Sequence, residues 1–224
     1  MGSKNKLKRF EEVAELPNVV EYTDVENNYQ HRGAWAEGVF GNNHPVILEL
    51  ACGKGEYALA LAELYPDKNI IGVDIKGSRL WVGATDARTK QLDNVRFIRS
   101  YIDHLDRFFG ENEVSEIWIT FPDPYPSKTK KRKRLTSPKF LNLYRKFATK
   151  ECRIHLKTDS ELLWKFTKDT IAEENLEIID KVEGIYKERP DDQLLTVQTY
   201  FEKLHLEAGK QIRYICFDLN PNSG

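Results

Sequence analysis

Residues Val46–Asp74, VILELACGKGEYALALAELYPDKNIIGVD, read as an apolar strand, a glycine turn, a helix and a second apolar strand. Val46 to Leu50 is apolar except for one acid, Glu49, and it stops at the turn Cys52-Gly53-Lys54-Gly55. From Glu56 onward, Leu59, Leu61, Ala62 and Leu64 recur at helical spacing, and Pro66 closes the segment. Ile70 to Val73 form the second buried-type strand, with Asp74 at its carboxyl end. A β-α-β unit with glycines at its first turn and an acid roughly 20 residues on holds an adenosine-containing cofactor. Gly53 and Gly55 let a ligand approach the backbone, and Asp74 can accept hydrogen bonds from ribose hydroxyls.

The residue types narrow the cofactor. A phosphate-cradling G-x-x-x-x-G-K-[ST] loop fails, because Gly55 stands where its Ser or Thr belongs. A dinucleotide fingerprint has Ala58 at its third glycine, a tolerated change. Glu49 weighs against a pyrophosphate, which a carboxylate in the first strand would repel. It suits a cation, such as the sulfonium and amino groups of S-adenosylmethionine. The plainer alternative for Glu49 is a solvated or salt-bridged acid at a strand end.

Outward from this unit, strands and helices alternate. Further strands are expected at Asn94–Ile98, Val114–Phe121, Cys152–Leu156, Leu176–Val182 and Gln211–Leu219, making seven. Helices are expected over residues 77–92, from Ser137-Pro138 through Phe147, and over Glu161–Glu173 behind the cap Ser160. The alternation gives an α/β fold, a mostly parallel sheet with helices on both faces. The last two strands have only a loop between them, containing Gln198-Thr199-Tyr200-Phe201-Glu202, and so form an antiparallel edge. Ligands in such sheets bind beyond the carboxyl ends of the strands, where Glu49, Asp74, Asp123 and Asp159 all fall. Residues 1–45 read as an N-terminal arm, partly flexible, before one domain of residues 46–224.

The chain is 224 residues long, 31% charged, with net charge −1, so no global field advertises nucleic acid and any basic site must be local. Neither a signal peptide nor a membrane span is legible, which makes the cytoplasm the expected compartment. Three isolated cysteines, Cys52, Cys152 and Cys216, show no metal-ligand spacing and read as reduced, buried thiols; no metal is expected. The local basic site follows the fourth strand in FPDPYPSKTKKRKR, residues 121–134, where six of the last seven residues are cations. Its prolines fix the direction of Asp123. Tyr125 offers a ring on which a base could stack, worth about 1–3 kcal/mol. The cations from Lys128 to Arg134 seek phosphates, or are simply a solvated loop. Asp123 would otherwise be a turn cap, and Asp159 a helix-start acid.

LELACGKG, GVD, FPDPYPSK, the basic run with Arg-Leu-Thr, HLKTD and TYFE followed by Gly209 resemble the bacterial tRNA (guanine-N7)-methyltransferase family, in order, from about residue 30 to 219. FPDPYP with KTD and T-x-x-E carries most of this likeness, since any class I methyltransferase shares the glycine turn. The resemblance implies a Rossmann-like class I fold and methyl transfer from S-adenosylmethionine to N7 of guanine 46 in the variable loop of tRNA. By position, it implies cofactor contacts from Glu49, Gly53, Gly55, Asp74, Tyr101 and Asp123, with Asp123 also catalytic. It implies substrate contacts from Ser127, Lys128, Asp159, Thr199, Tyr200, Phe201 and Glu202. Tyr101 stands where the family usually has Asp, with Asp103 two residues on; Ser127 stands where some members have Lys, with Lys128 next; and Tyr125 replaces the usual Trp.

Guanine N7 carries an unprotonated lone pair, so Asp123 is expected to position and stabilise charge rather than to remove a proton. Asp159 and Glu202 are expected to accept from guanine N1–H and the exocyclic amine, which adenine cannot match. Rival readings are a methylase of an exocyclic amine or a protein, a nicotinamide oxidoreductase, and a non-catalytic RNA-binding protein. Monomer and homodimer stay open.

Overall fold

Strand β2 (Val46–Leu50) is buried at all five residues, as its apolar run requires. The computed structural model describes residues 3–25 and 28–220. Around β2 lie α1 (Ser3–Glu12), β1 (Val19–Glu21), α2 (Glu56–Leu64), β3 (Asn69–Asp74), α3 (Gly77–Thr89), β4 (Val95–Arg99), β5 (Val114–Thr120), α4 (Pro138–Tyr144), β6 (Ala148–Thr158), α5 (Glu161–Glu173), β7 (Ile178–Val182), α6 (Ile185–Glu188), α7 (Tyr200–Glu207) and β8 (Arg213–Asp218). The sheet runs β1-β4-β3-β2-β5-β6-β8-β7, parallel except that β8 is antiparallel to both β6 and β7. Strand order reverses between β2 and β5, so the carboxyl ends of these strands open a crevice at that switch point.

The sheet has eight strands, not seven. The eighth, β1, comes from the stretch read as an arm, and its three residues are too few for a periodic signal to register. It is fixed by Glu21, buried and paired with Arg99 of β4 at 3.0 Å. Trp35, in the same stretch, is fully buried, stacks on Phe109 and donates its indole N–H to the Phe108 carbonyl at 2.8 Å. The fold therefore starts well before residue 46. Residues 1–2 and 26–27 of the arm and 221–224 of the expected domain lie outside the described residues.

The loop expected between the closing strands holds two helices, α6 and α7. Thr199 is the N-cap of α7, its hydroxyl accepting the Glu202 N–H at 3.3 Å, so T-x-x-E is a helix start. Ser160 caps α5 as expected, accepting from the Leu163 N–H at 3.2 Å. At the start of α4, Ser137 instead donates its hydroxyl to the Arg132 carbonyl. The three cysteines are free and buried, and among the described residues no helix is long and apolar enough to cross a membrane.

Candidate active site

A cavity of about 520 Å³ opens beyond the ends of β2, β3 and β5. Glu49, Gly53, Asp74 and Asp123 line it together with Thr199, Tyr200 and Phe201. A second hollow of about 450 Å³ joins it along Ala51, Asp74, Ile75 and Tyr125, and contains Tyr101 and Asp103. Asp103 is ion-paired with Lys139, while the Tyr101 ring is 58% exposed, so the tyrosine is the freer of the two to stack on a ligand. A larger open hollow beside Arg32, His104 and Arg107 also touches Asp103 but contains none of the other sequence-predicted site residues.

The glycine turn leaves the floor clear. Gly53 has φ +59° and faces open space, and Gly55, at φ +70°, could not carry a Cβ without striking Phe97 at 2.5 Å. Glu49 is 1% exposed and accepts from Thr120 Oγ1 at 2.7 Å and from the Ala58 N–H at 2.8 Å. Burial pushes its carboxyl up to about 8; those two hydrogen bonds oppose the shift, and Asp74 and Glu56 add repulsion. A buried acid in this state favours a cation beside it. Both Asp74 oxygens accept backbone N–H groups, of Gly53 at 2.9 Å and Lys76 at 2.8 Å. Asp123 is exposed, and its Oδ1 accepts the Tyr125 N–H at 2.9 Å, so it caps its own turn as well as lining the cavity.

Strain gathers here. Six described residues other than glycine have positive φ, and three of them, Ala51, Phe121 and Tyr125, line this cavity. The Tyr125 turn is held by Arg134, whose guanidinium donates to the Pro124 and Tyr125 carbonyls at 2.9 and 3.0 Å and lies over the Phe166 ring. Arg134 is thus buried and engaged, not a phosphate-seeking cation as its place in the basic run suggested. The remaining run, Lys128–Lys133, forms an exposed 3-10 turn with Ser127 at its start, and Lys133 reaches the Tyr101 hollow. Ser127 and Lys128 stand on the rim, outside both cavities' linings.

Two expected guanine contacts are already engaged within the protein. Glu202 is fully buried, its carboxylate taken by Lys157 at 2.8 Å and the Tyr186 hydroxyl at 2.9 Å. Burial pushes Glu202 up and pulls Lys157 down, with their mutual attraction opposing both shifts. Asp159 pairs with Lys210 at 2.6 Å and His205 at 3.4 Å, and of this group only His205 reaches the cavity.

Sequence reasoning missed Lys54, Lys76, Arg79 and His205, which also line the cavity. Lys54 lies over the Tyr200 ring, 4.7 Å from its centroid, and Arg79 over Phe201 at 5.6 Å. Lys54 lies within the glycine turn after β2 and Lys76 two residues past the end of β3, a signal open to inspection; Arg79 lies one helical turn on. His205 arrives only through α7.

The chain matches the family model described as "Putative methyltransferase" over residues 43–215. It is 45% identical to the tRNA (guanine-N(7)-)-methyltransferase of Bacteroides thetaiotaomicron, over 99% of this chain and 88% of the relative. It is also 45% identical to that of Christiangramia forsetii, over 98% of this chain and 100% of the relative. The solved 16S rRNA methyltransferase KamB aligns with a TM-score of 0.60 at 14% identity, covering 79% of this chain and 88% of that one. This likeness shows the shared class I fold. By fold and by these relatives, the chain belongs to the tRNA (guanine-N7)-methyltransferase family of S-adenosylmethionine-dependent enzymes.

Proposed function

We propose that this chain methylates N7 of a guanine in tRNA, guanine 46 of the variable loop by family likeness, in the cytoplasm. One observation carries the proposal: a buried carboxylate, a ribose-type acid and two exposed aromatic rings share one cavity, bordered by a turn of five cations. S-adenosylmethionine, when bound, supplies an electrophilic methyl group on a cationic sulfur. The residues fit such a group. Glu49 would offset its positive charge, Asp74 would accept from ribose hydroxyls, the space over Gly53 would admit it, and Tyr101 would stack on the adenine.

Guanine N7 needs no deprotonation before attack, so the residues have alignment and charge stabilisation to provide. Orientation alone supplies up to about 7–11 kcal/mol. Asp123, fixed by its own turn and by the Arg134 clamp beneath it, would stabilise positive charge developing on the purine. Tyr200 and Phe201 would hold the base, while Lys54 and Arg79 behind their rings would meet flanking phosphates. The Lys128–Lys133 turn and Ser127 would carry the RNA backbone on the opposite rim. Asp159 would act through His205.

Incubation with unmodified tRNA and labelled S-adenosylmethionine, followed by nucleoside mass spectrometry, tests this. The expected product is 7-methylguanosine at one position. Methyl transfer to an exocyclic amine, or none to RNA, refutes it.

A further inference from the structure

Directly behind the Thr199–Phe201 wall lies an ion pair with both side chains fully buried, Lys157 and Glu202. Lys157 Nζ donates to Glu202 Oε2 at 2.8 Å and to the Val197 carbonyl at 2.9 Å. These two acceptors bracket Thr199, Tyr200 and Phe201 in the chain. Glu202 Oε1 accepts the Tyr186 hydroxyl at 2.9 Å. The ammonium faces the rings of Tyr57 and Phe121, whose centroids are 5.3 and 5.9 Å away. Through its backbone, the same lysine reaches the other wall, because its carbonyl accepts the Phe121 N–H at 2.9 Å, two residues before Asp123. One residue thus connects the turn carrying Asp123 to the segment carrying the aromatic platform.

A buried pair of this kind gains little over an apolar replacement, yet removing one partner strands a charge. Its attested use is to fix one arrangement among several. We infer that Lys157 and Glu202 are positioning residues that together set the register between the Asp123 turn and the Thr199–Phe201 wall, and that Glu202 acts through Lys157 rather than by touching guanine. The inference rests on the cavity being the methyl-transfer site.

Variants E202M, K157M and K157M/E202M of the full chain separate the two roles. Each single change strands a partner and lowers kcat/KM for tRNA by about 100-fold or more, whereas the double change returns it to within about tenfold of wild type. S-adenosylmethionine affinity stays within about threefold throughout, since neither residue lines the cavity. A double variant that binds the cofactor but is as inactive as E202M overturns the inference. Should the methionine variants fail to fold, E202Q on tRNA carrying guanosine or inosine at the methylated position decides. An equal penalty on both supports positioning. A penalty at least tenfold smaller on inosine, which lacks the 2-amino group, means that Glu202 touches the base and overturns the inference. Wild-type protein that methylates no tRNA overturns the functional proposal and this inference together, so the two failures are distinguishable.

Discussion

With the proposed cation beside it, Glu49 would couple cofactor binding to protons. Its carboxyl, held up to about 8 by burial, is mostly protonated near neutrality when no cation adjoins it. A cation binds the ionised form, so affinity for S-adenosylmethionine rises with pH toward 8, by up to about one log unit per pH unit, and then levels off. Calorimetric titrations from pH 6 to 9 check this; a flat profile contradicts it. Glu49→Gln flattens the profile and weakens binding. In the ligand-free protein the folded value lies above the unfolded 4.5, so the native state holds the proton longer. Stability from this acid is complete below about 4.5 and is lost as pH rises through about 8. The glutamine variant escapes that loss and should melt higher than wild type at pH 8.5. Glu49, Asp74 and Asp123 were legible in the sequence because each sits at or near a strand end that the apolar pattern reveals. Glu202 and Arg134 were not legible in their roles. Glu202 finds its partner 45 residues away, and Arg134 is hidden among exposed neighbours of the same charge.

At the scale of elements, the basic run divides into two parts with separable effects. Replacing Lys128, Lys130, Lys131 and Arg132 with alanine should weaken tRNA binding and flatten its salt dependence by up to about 3–4 log units per log salt, at about 0.7–0.9 per phosphate contact. Cofactor affinity should hold. Arg134→Ala should do the reverse: the salt slope stays, while kcat falls because the Pro124–Tyr125 carbonyls lose their clamp and the strained Tyr125 turn can relax. Binding isotherms at several salt concentrations, paired with turnover measurements, distinguish the two. Helix α7 escaped the sequence reading because Gln198–Glu202 suggested ligand contact, although T-x-x-E is equally a capping box. Its glutamate then departs from that box, pairing with Lys157. Local propensity announced the helix start, and tertiary pairing settled what the acid does.

For the whole molecule, the order of strands matters more than their number. Trp35 belongs to the core despite preceding the expected domain, so Trp35→Ala should cost about 3–5 kcal/mol, a drop in Tm on the order of 10 °C. Thermal melts of the variant check this, and an unchanged Tm would return the segment to the status of an appendage. Its burial was not legible because one tryptophan in an irregular stretch gives no period. At the other edge, β7 joins the sheet only through β8, the last strand among the described residues. Residues 185–209 are strung between those two strands. During synthesis, therefore, everything from β1 to β6 can emerge and pair while β7 has nowhere to dock. The half of the crevice floored by the glycine turn can form on the ribosome, but the facing half must await β8. The proposed RNA-binding crevice is thus closed to productive use by a nascent chain until β8 has docked.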